Sequence, residues 1–267
     1  MYRFFLLFWI NLLWIEGFCE EKPIVILISS YNNQNYVKKN IESVLNQDYN
    51  NYRVIYIDDA STDKTLAYLI DMIKSHPKKD RFTIYRNKKN LGAMENHYMA
   101  IHTCKKWEIV TILDGDDWFY SDSVLNIINA VYQDPNVWLT WGSYIEYPEG
   151  KIGSLSRYVD IKDLTSGNLR SQPWKTSHLR TFYAGLFQKI KKEEFQNNGK
   201  FFLTACDLAE MYPMLEIARE KTRFIPDLLY VYNKTNPLND FKIHAKERDK
   251  IVDVIKNKKI HKKLNSL

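Results

Sequence analysis

From residue 23 onward the chain alternates two kinds of segment, and this alternation limits its fold more than any other feature. Short apolar runs at Ile24–Ile28, Val54–Ile57, Phe82–Tyr85, Ile109–Leu113 and Val137–Trp141 have the length of strands. A continuous apolar run is what a strand covered on both faces needs. Between the runs, apolar residues recur at helical spacing: Val37, Ile41, Val44 and Leu45, then Leu66, Leu69, Ile70 and Ile73, then Val124, Ile127, Ile128 and Val131. Ala93–Cys104 also reads as a helix, and Asp63 stands where it can cap the second one. Strand and helix repeated in this way predict an α/β domain built on an open, mostly parallel sheet with helices on both faces. The pattern stops near residue 142. Residues 143–175 are polar and mixed, carry Gly150, Gly153 and Gly167, and read as loops.

Polar residues gather where the runs end. The first stops at Ser29-Ser30-Tyr31-Asn32, the second at Asp58-Asp59, the fourth at Asp114-Gly115-Asp116-Asp117. In an open α/β sheet the carboxyl ends of parallel strands share one edge, and ligands bind in the crevice there. Tyr31, Asp59 and Asp114 are therefore expected to meet. Several carboxylates at one edge cannot all ionise without compensation, so either a pKa rises or a cation sits among them. Two aspartates flanking one glycine suit a hard divalent ion that takes oxygen ligands. Aspartates after strands also serve as turn and cap residues, and Asp117 and Asp122 are read that way. The chain has 9 glycines and contains neither G-x-G-x-x-G nor G-x-x-x-x-G-K-[ST], so the two commonest backbone phosphate cradles are absent. A cation at Asp114 and Asp116 would fill that gap.

Residues 1–19 differ from the rest. Arg3 heads an apolar run from Phe4 to Ile15 broken only by Asn11. A spanning helix needs about 20 apolar residues. The segment reads as a secretory signal peptide cut near Cys19, with a retained signal anchor or a buried first helix as alternatives. The other cysteines, Cys104 and Cys206, form no C-x-x-C. They either pair in an oxidising lumen or stay as free thiols. Lys and Arg number 38 against 32 acidic residues, a formal charge of +6. That excess tolerates anionic ligands or lipid headgroups without calling for nucleic acid. The stretch from Lys242 to Lys263 is lysine-rich and reads as a solvated helix face or a contact for anionic lipid.

Taken in order and spacing, Ser29-Ser30-Tyr31-Asn32, Ile57-Asp58-Asp59-Ala60-Ser61-Thr62-Asp63, Asn90-Leu91-Gly92 and Leu113-Asp114-Gly115-Asp116-Asp117 resemble the family 2 glycosyltransferases of GT-A fold. The similarity covers residues 23–145 strongly and 175–240 loosely. It implies a GT-A, Rossmann-like sheet with a C-terminal acceptor-side subregion. It also implies a nucleotide-diphosphate sugar donor, UDP-linked first of all, a Mg2+ or Mn2+ ion, and inversion at the anomeric carbon. By resemblance Asp59 contacts the nucleotide base, Tyr31 packs near it, Asp114 lies by the ribose and metal, and Asp116 is the metal ligand proper. An acidic residue heading a helix serves this family as general base. The usual Glu-Asp pair reads Cys206-Asp207 here, which makes Asp207 the base and Glu210 the alternative. His178 and Arg180 are candidates to reach the diphosphate or the acceptor. Tyr230-Val231-Tyr232-Asn233 resembles a Tyr-Arg-x-His region without its arginine or histidine, so no metal-ligating histidine is expected there. Asn233-Lys234-Thr235 is also a formal glycosylation sequon.

The expected organisation is then a leader (1–19), a nucleotide-sugar half (20–145), an acceptor and base half (146–240) and a basic tail (241–267). The acceptor is a hydroxyl of a glycan, lipid or protein, and the location a secretory lumen or a membrane surface. A sugar-phosphate nucleotidyltransferase and a non-catalytic sugar- or nucleotide-binding protein on the same scaffold are the competing readings.

Overall fold

The structure is a computed structural model that describes residues 20–267. The leader at 1–19 and Cys19 lie outside the described residues. The elements run in order β1 (Ile24–Ser30), α1 (Val37–Leu45), β2 (Tyr52–Asp58), α2 (Thr65–Ile73), β3 (Phe82–Arg86), α3 (Ala93–His102), β4 (Ile109–Ile112), β5 (Trp118–Phe119), α4 (Val124–Val131), β6 (Leu139–Tyr147), β7 (Lys151–Ile152), α5 (Ile161–Thr165), β8 (Arg180–Tyr183), α6 (Ala184–Phe187), β9 (Gln196–Asn197), β10 (Lys200–Phe201), α7 (Cys206–Ala218), β11 (Thr222–Asn233), α8 (Asp240–Ile243) and α9 (Ala245–Lys256).

One sheet carries the molecule, in the order β3-β2-β1-β4-β8-β6-β11-β5. Its first four strands are parallel. Beyond β4 it is mixed: β8 runs antiparallel to both β4 and β6, while β11 pairs parallel with β6. The expected fifth strand is therefore not the neighbour of the fourth, because β8 lies between them.

The apolar runs feed two cores because side chains alternate across a strand. Ile24, Ile26 and Ile28 of β1 face a cluster with Val37, Ile41 and Val44 of α1 and Leu69 of α2. Val25 and Leu27 face the opposite cluster, with Ile101 of α3, Phe187 of α6 and Met211 and Leu215 of α7. Lys64, not Asp63, is the N-cap of α2; Asp63 stands one residue before it, where its Oδ1 accepts from the Thr65 amide (2.9 Å) and its Oδ2 from Gln34 N–H (3.1 Å), which ties the helix start to the loop after β1.

Two expectations need correction and a third is sharpened. Residues 143–175 are not all loop: β6 continues to Tyr147, β7 pairs with it, and α5 follows. Gly153 lets the backbone after β7 lie against the Tyr144 ring, since a β-carbon there would stand 1.9 Å from a ring carbon. The basic stretch 241–267 carries the helix α9, whose lysines stay largely exposed while its other face docks. Ile255 of α9 is buried in the core, with Ile251, Val252, Val254 and Leu264 packed against it. The pairing option for Cys104 and Cys206 also falls, because both are free thiols.

Candidate active site

The loops after β1, β2 and β4 are sewn together at the carboxyl edge. Asp59 N–H donates to the Ser30 carbonyl (2.8 Å), and Gly115 N–H donates to the Ser29 carbonyl (3.2 Å). Gly115 is required by contact. A β-carbon there would stand 2.5 Å from both Cβ and Oγ of Ser30 and 2.9 Å from Nδ2 of Asn33. From α1, buried Asn40 donates through Nδ2 to the carbonyls of Asp114 (3.0 Å) and Asp117 (2.7 Å), which fixes the Asp-Gly-Asp-Asp turn from below.

The three carboxylates of that turn have different surroundings. Asp114 is half-buried; burial is the largest influence and opposes its charge, but Arg180, His178, His97 and the Tyr230 hydroxyl together hold the carboxyl below the usual range. Asp116 is also half-buried. Burial, and then Asp114 beside it, push its carboxyl up to about 6, against a hydrogen bond from Asn236 Nδ2 to Oδ2 (2.7 Å). Asp117 is not the simple turn residue expected. It is buried, its Oδ2 accepts from Tyr230 Oη (2.6 Å), and its Oδ1 accepts from Asn233 N–H (2.7 Å). It thus hooks β11 onto the turn, and burial with Asp116 and Asp114 nearby raises its pKa well above normal.

A donor set suited to a cation is present. One carboxylate oxygen each from Asp114 and Asp117 and one ring nitrogen of His178 all lie within 4.8 Å of one another. His178 stacks on Tyr230 (centroids 4.4 Å apart, planes at 9°). Burial lowers its pKa to about 4, which keeps the imidazole neutral, and its Nδ1 is buried without a hydrogen-bond partner. A neutral ring with a free nitrogen beside two carboxylates fits a divalent ion. Asp116, adjacent in the turn, lies outside this trio.

Asp59 is placed at the edge as expected, but its oxygens are engaged. Oδ1 accepts from Asn87 Nδ2 (2.7 Å) and Leu91 N–H (2.9 Å), and Oδ2 accepts from Gly92 N–H (2.8 Å). It shapes the 87–92 loop, where Gly92 adopts φ +84. Tyr31 is 39% exposed at the mouth of the same edge.

The second half reaches the turn through β8 and α7. Arg180 is buried; its Nη1 donates to Glu210 Oε2 (3.0 Å), while its Nε has no partner. Glu210 Oε1 lies 2.6 Å from Nδ1 of buried His97. Glu210 is therefore a poor alternative base, since both oxygens are held in a buried network. Asp207 sits half-buried in the first turn of α7. Burial raises its pKa, with Arg180 pulling the other way. Arg180 in turn feels Glu210, Asp114 and Asp207. Residues from β4, β8 and α7 thus share one charge environment.

Sequence reasoning missed Asn40, Asn96, His97 and Asn236. Asn40 carried a signal: it is a polar residue on the apolar face that Val37, Ile41 and Val44 define. Asn96, on α3, accepts from Asn87 (2.7 Å) and donates to Ser29 Oγ (3.2 Å).

The sequence pattern described as "Glycosyl transferase family 2" matches residues 25–195, more than half of the chain. The chain belongs to this family. Among relatives of this family 2 glycosyltransferase, "Glycosyltransferase GlyG" of Streptococcus pneumoniae is 27% identical over 223 residues, 79% of this chain and 70% of the relative. An uncharacterized glycosyltransferase of Haemophilus influenzae is 30% identical over 149 residues, 54% of this chain and 58% of the relative. Among solved structures, residues 1–349 of S. aureus TarS in complex with UDP-GlcNAc align with TM-score 0.60 at 17% identity, over 80% of this chain and 59% of that one. The mannosyltransferase PcManGT of Pyrobaculum calidifontis, in complex with GDP-Man and Mn2+, aligns with TM-score 0.61 at 15% identity, over 91% of this chain and 66% of that one. The GT-A fold and the glycosyltransferase class follow, and the nucleotidyltransferase and non-catalytic readings fall. Among the described residues no helix is long and apolar enough to cross a membrane.

Proposed function

We propose that this enzyme moves a sugar from a nucleotide-diphosphate donor, a UDP-sugar, to an acceptor hydroxyl on a glycan, lipid or protein, with inversion and with Mn2+ or Mg2+ as cofactor. The observation that supports it most is the single charge environment that Arg180 makes for Asp114 and Asp207. A direct displacement needs a donor phosphate site and a base on one crevice.

Each group then has a role. The loop shaped by Asp59 walls the nucleotide base, with Tyr31 at the mouth. Asp114 and, as the resemblance implies, Asp116 would hold the cation, with a ring nitrogen of His178 and an oxygen of Asp117 close to Asp114. Asp117, tied on both oxygens, keeps β11 against the turn. Arg180, with its Nε unpaired, offers a donor to the diphosphate. Asp207, its pKa raised by burial, takes the proton of the attacking hydroxyl. Attack on the face opposite the leaving diphosphate gives inversion. The cation, when bound, supplies Lewis-acid neutralisation of charge on the diphosphate. The complexes of TarS with UDP-GlcNAc and of PcManGT with GDP-Man and Mn2+ support the donor class and the metal. The leader carries the expectation of a secretory-lumen or membrane-associated location.

The test is kinetic. Asp207→Asn should lower kcat by about 100-fold or more and leave the donor KM near the wild-type value, whereas Asp116→Ala should abolish transfer. A wild-type rate for Asp207→Asn would overturn the base assignment.

A further inference from the structure

The amino ends of the parallel strands form the edge of the molecule opposite Asp114. The loop entering β4 stands there and reads Lys105-Lys106-Trp107-Glu108. Trp107 is 63% exposed, and Lys105 Nζ lies 5.6 Å from its ring centroid. The loop is held on both sides. Lys105 N–H donates to Glu108 Oε2 (2.7 Å), Gly185 N–H to the Lys106 carbonyl (3.0 Å), and Gln188 Nε2 to the Cys104 carbonyl (2.9 Å). The indole on this braced loop presents a large apolar face to water. The acid of the loop is neutralised: Glu108 takes two hydrogen bonds from Arg53 (2.8 and 2.9 Å). Lys105 and Lys106 are exposed, as is Lys189, the residue after Gln188.

The chain also enters the domain here. Ile109 N–H donates to the Pro23 carbonyl (2.9 Å), so the sequence leading back to the apolar run Phe4–Ile15 joins the fold two residues from Trp107 in the pairing. Tryptophan with flanking lysines is the chemistry of a membrane interface: the ring sits at headgroup level, the ammonium groups meet anionic lipid, and the lysine stems cover apolar surface. The loop itself is net positive, since Lys105 and Lys106 are exposed while Glu108 is paired with Arg53, and that charge suits an anionic surface.

We propose that Lys105-Lys106-Trp107 seats the domain on the interface of an anionic bilayer. The crevice then faces away from the lipid, roughly 20 Å off across the strands of the sheet. Bound in that way, the enzyme meets acceptors that project from the surface.

The experiment uses the full chain with phosphatidylcholine vesicles, with and without phosphatidylglycerol, some carrying brominated acyl chains as quenchers. Wild type and Trp107→Phe are compared, because the chain has 7 tryptophans and only the difference reports Trp107. The difference emission is expected to be quenched by brominated anionic vesicles. The double variant Lys105→Glu, Lys106→Glu is expected to bind anionic vesicles roughly tenfold or more weakly at low salt, with unchanged turnover in detergent-free solution. Unquenched Trp107 emission would overturn the proposal. So would wild-type affinity in the lysine variant, which assigns all binding to the leader, or equal affinity for neutral and anionic vesicles.

Discussion

Gly115 shows how little room the site leaves at the level of single atoms. Only a hydrogen in place of a side chain lets the Asp114–Asp116 turn lie on Ser30, since a β-carbon would stand 2.5 Å from two of its atoms. Gly115→Ala must therefore push the end of β1 away from the turn. The variant should keep its fold and lose donor binding by at least about tenfold, a loss of roughly 1.4 kcal/mol. Nucleotide titration with a circular-dichroism control checks it, and wild-type affinity would remove Gly115 from the site. Asp59, Asp114 and Asp116 were legible in the sequence because each follows a strand at a fixed distance. Their individual states were not. That Asp59 braces a loop, and that Asp117 anchors β11 where a turn residue was expected, depends on partners about 30 and 116 residues away. No local pattern encodes those.

Among the elements, β8, α7 and α9 decide how the second half closes on the first. Strands β1 to β4 and the helices among and after them up to residue 131 follow from the apolar pattern, whereas the two-residue β5 is too short to leave one. The segment from 143 to 200 resisted reading because its strands are short and its contacts distant: β8 is four residues long, and it pairs with β4 and β6 from the far side of a long excursion. The basic C-terminal stretch reads as a solvated face because of its many lysines, and that face is exposed in α9. The helix docks all the same, held by Arg170. That guanidinium, 6% exposed, donates to both oxygens of Glu216 (2.6 and 2.8 Å) and to the Ile255 carbonyl (2.7 Å). Removing one member of a buried pair costs about 3–5 kcal/mol because the other charge is stranded. Arg170→Ala should lose stability of that order in urea unfolding and expose α9 amides to exchange first. A loss below about 1 kcal/mol would show that α9 docks by its apolar face alone.

At the scale of the whole molecule, the carboxylates gathered at one edge of the sheet couple stability to pH. Asp116 makes the acidic edge sensitive to pH. With a carboxyl pushed up to about 6, the folded protein holds a proton there that the unfolded chain has released. Folding is therefore penalised above that pH, and the penalty is relieved as pH falls through it. A cation binds the ionised form and takes the proton's place. Mn2+ should thus raise Tm at neutral pH, and the rise should shrink progressively below about pH 6. A pH-independent rise would mean that the ion binds elsewhere.

The deciding measurement is calorimetric titration of UDP into the protein with Mn2+ and again with excess EDTA, for wild type and for Asp116→Ala. Binding to wild type should need the ion, weakening at least about tenfold without it, and Asp116→Ala should behave in Mn2+ as wild type does in EDTA. Equal UDP affinity in all four titrations would contradict a cation-bridged diphosphate at the Asp-Gly-Asp turn.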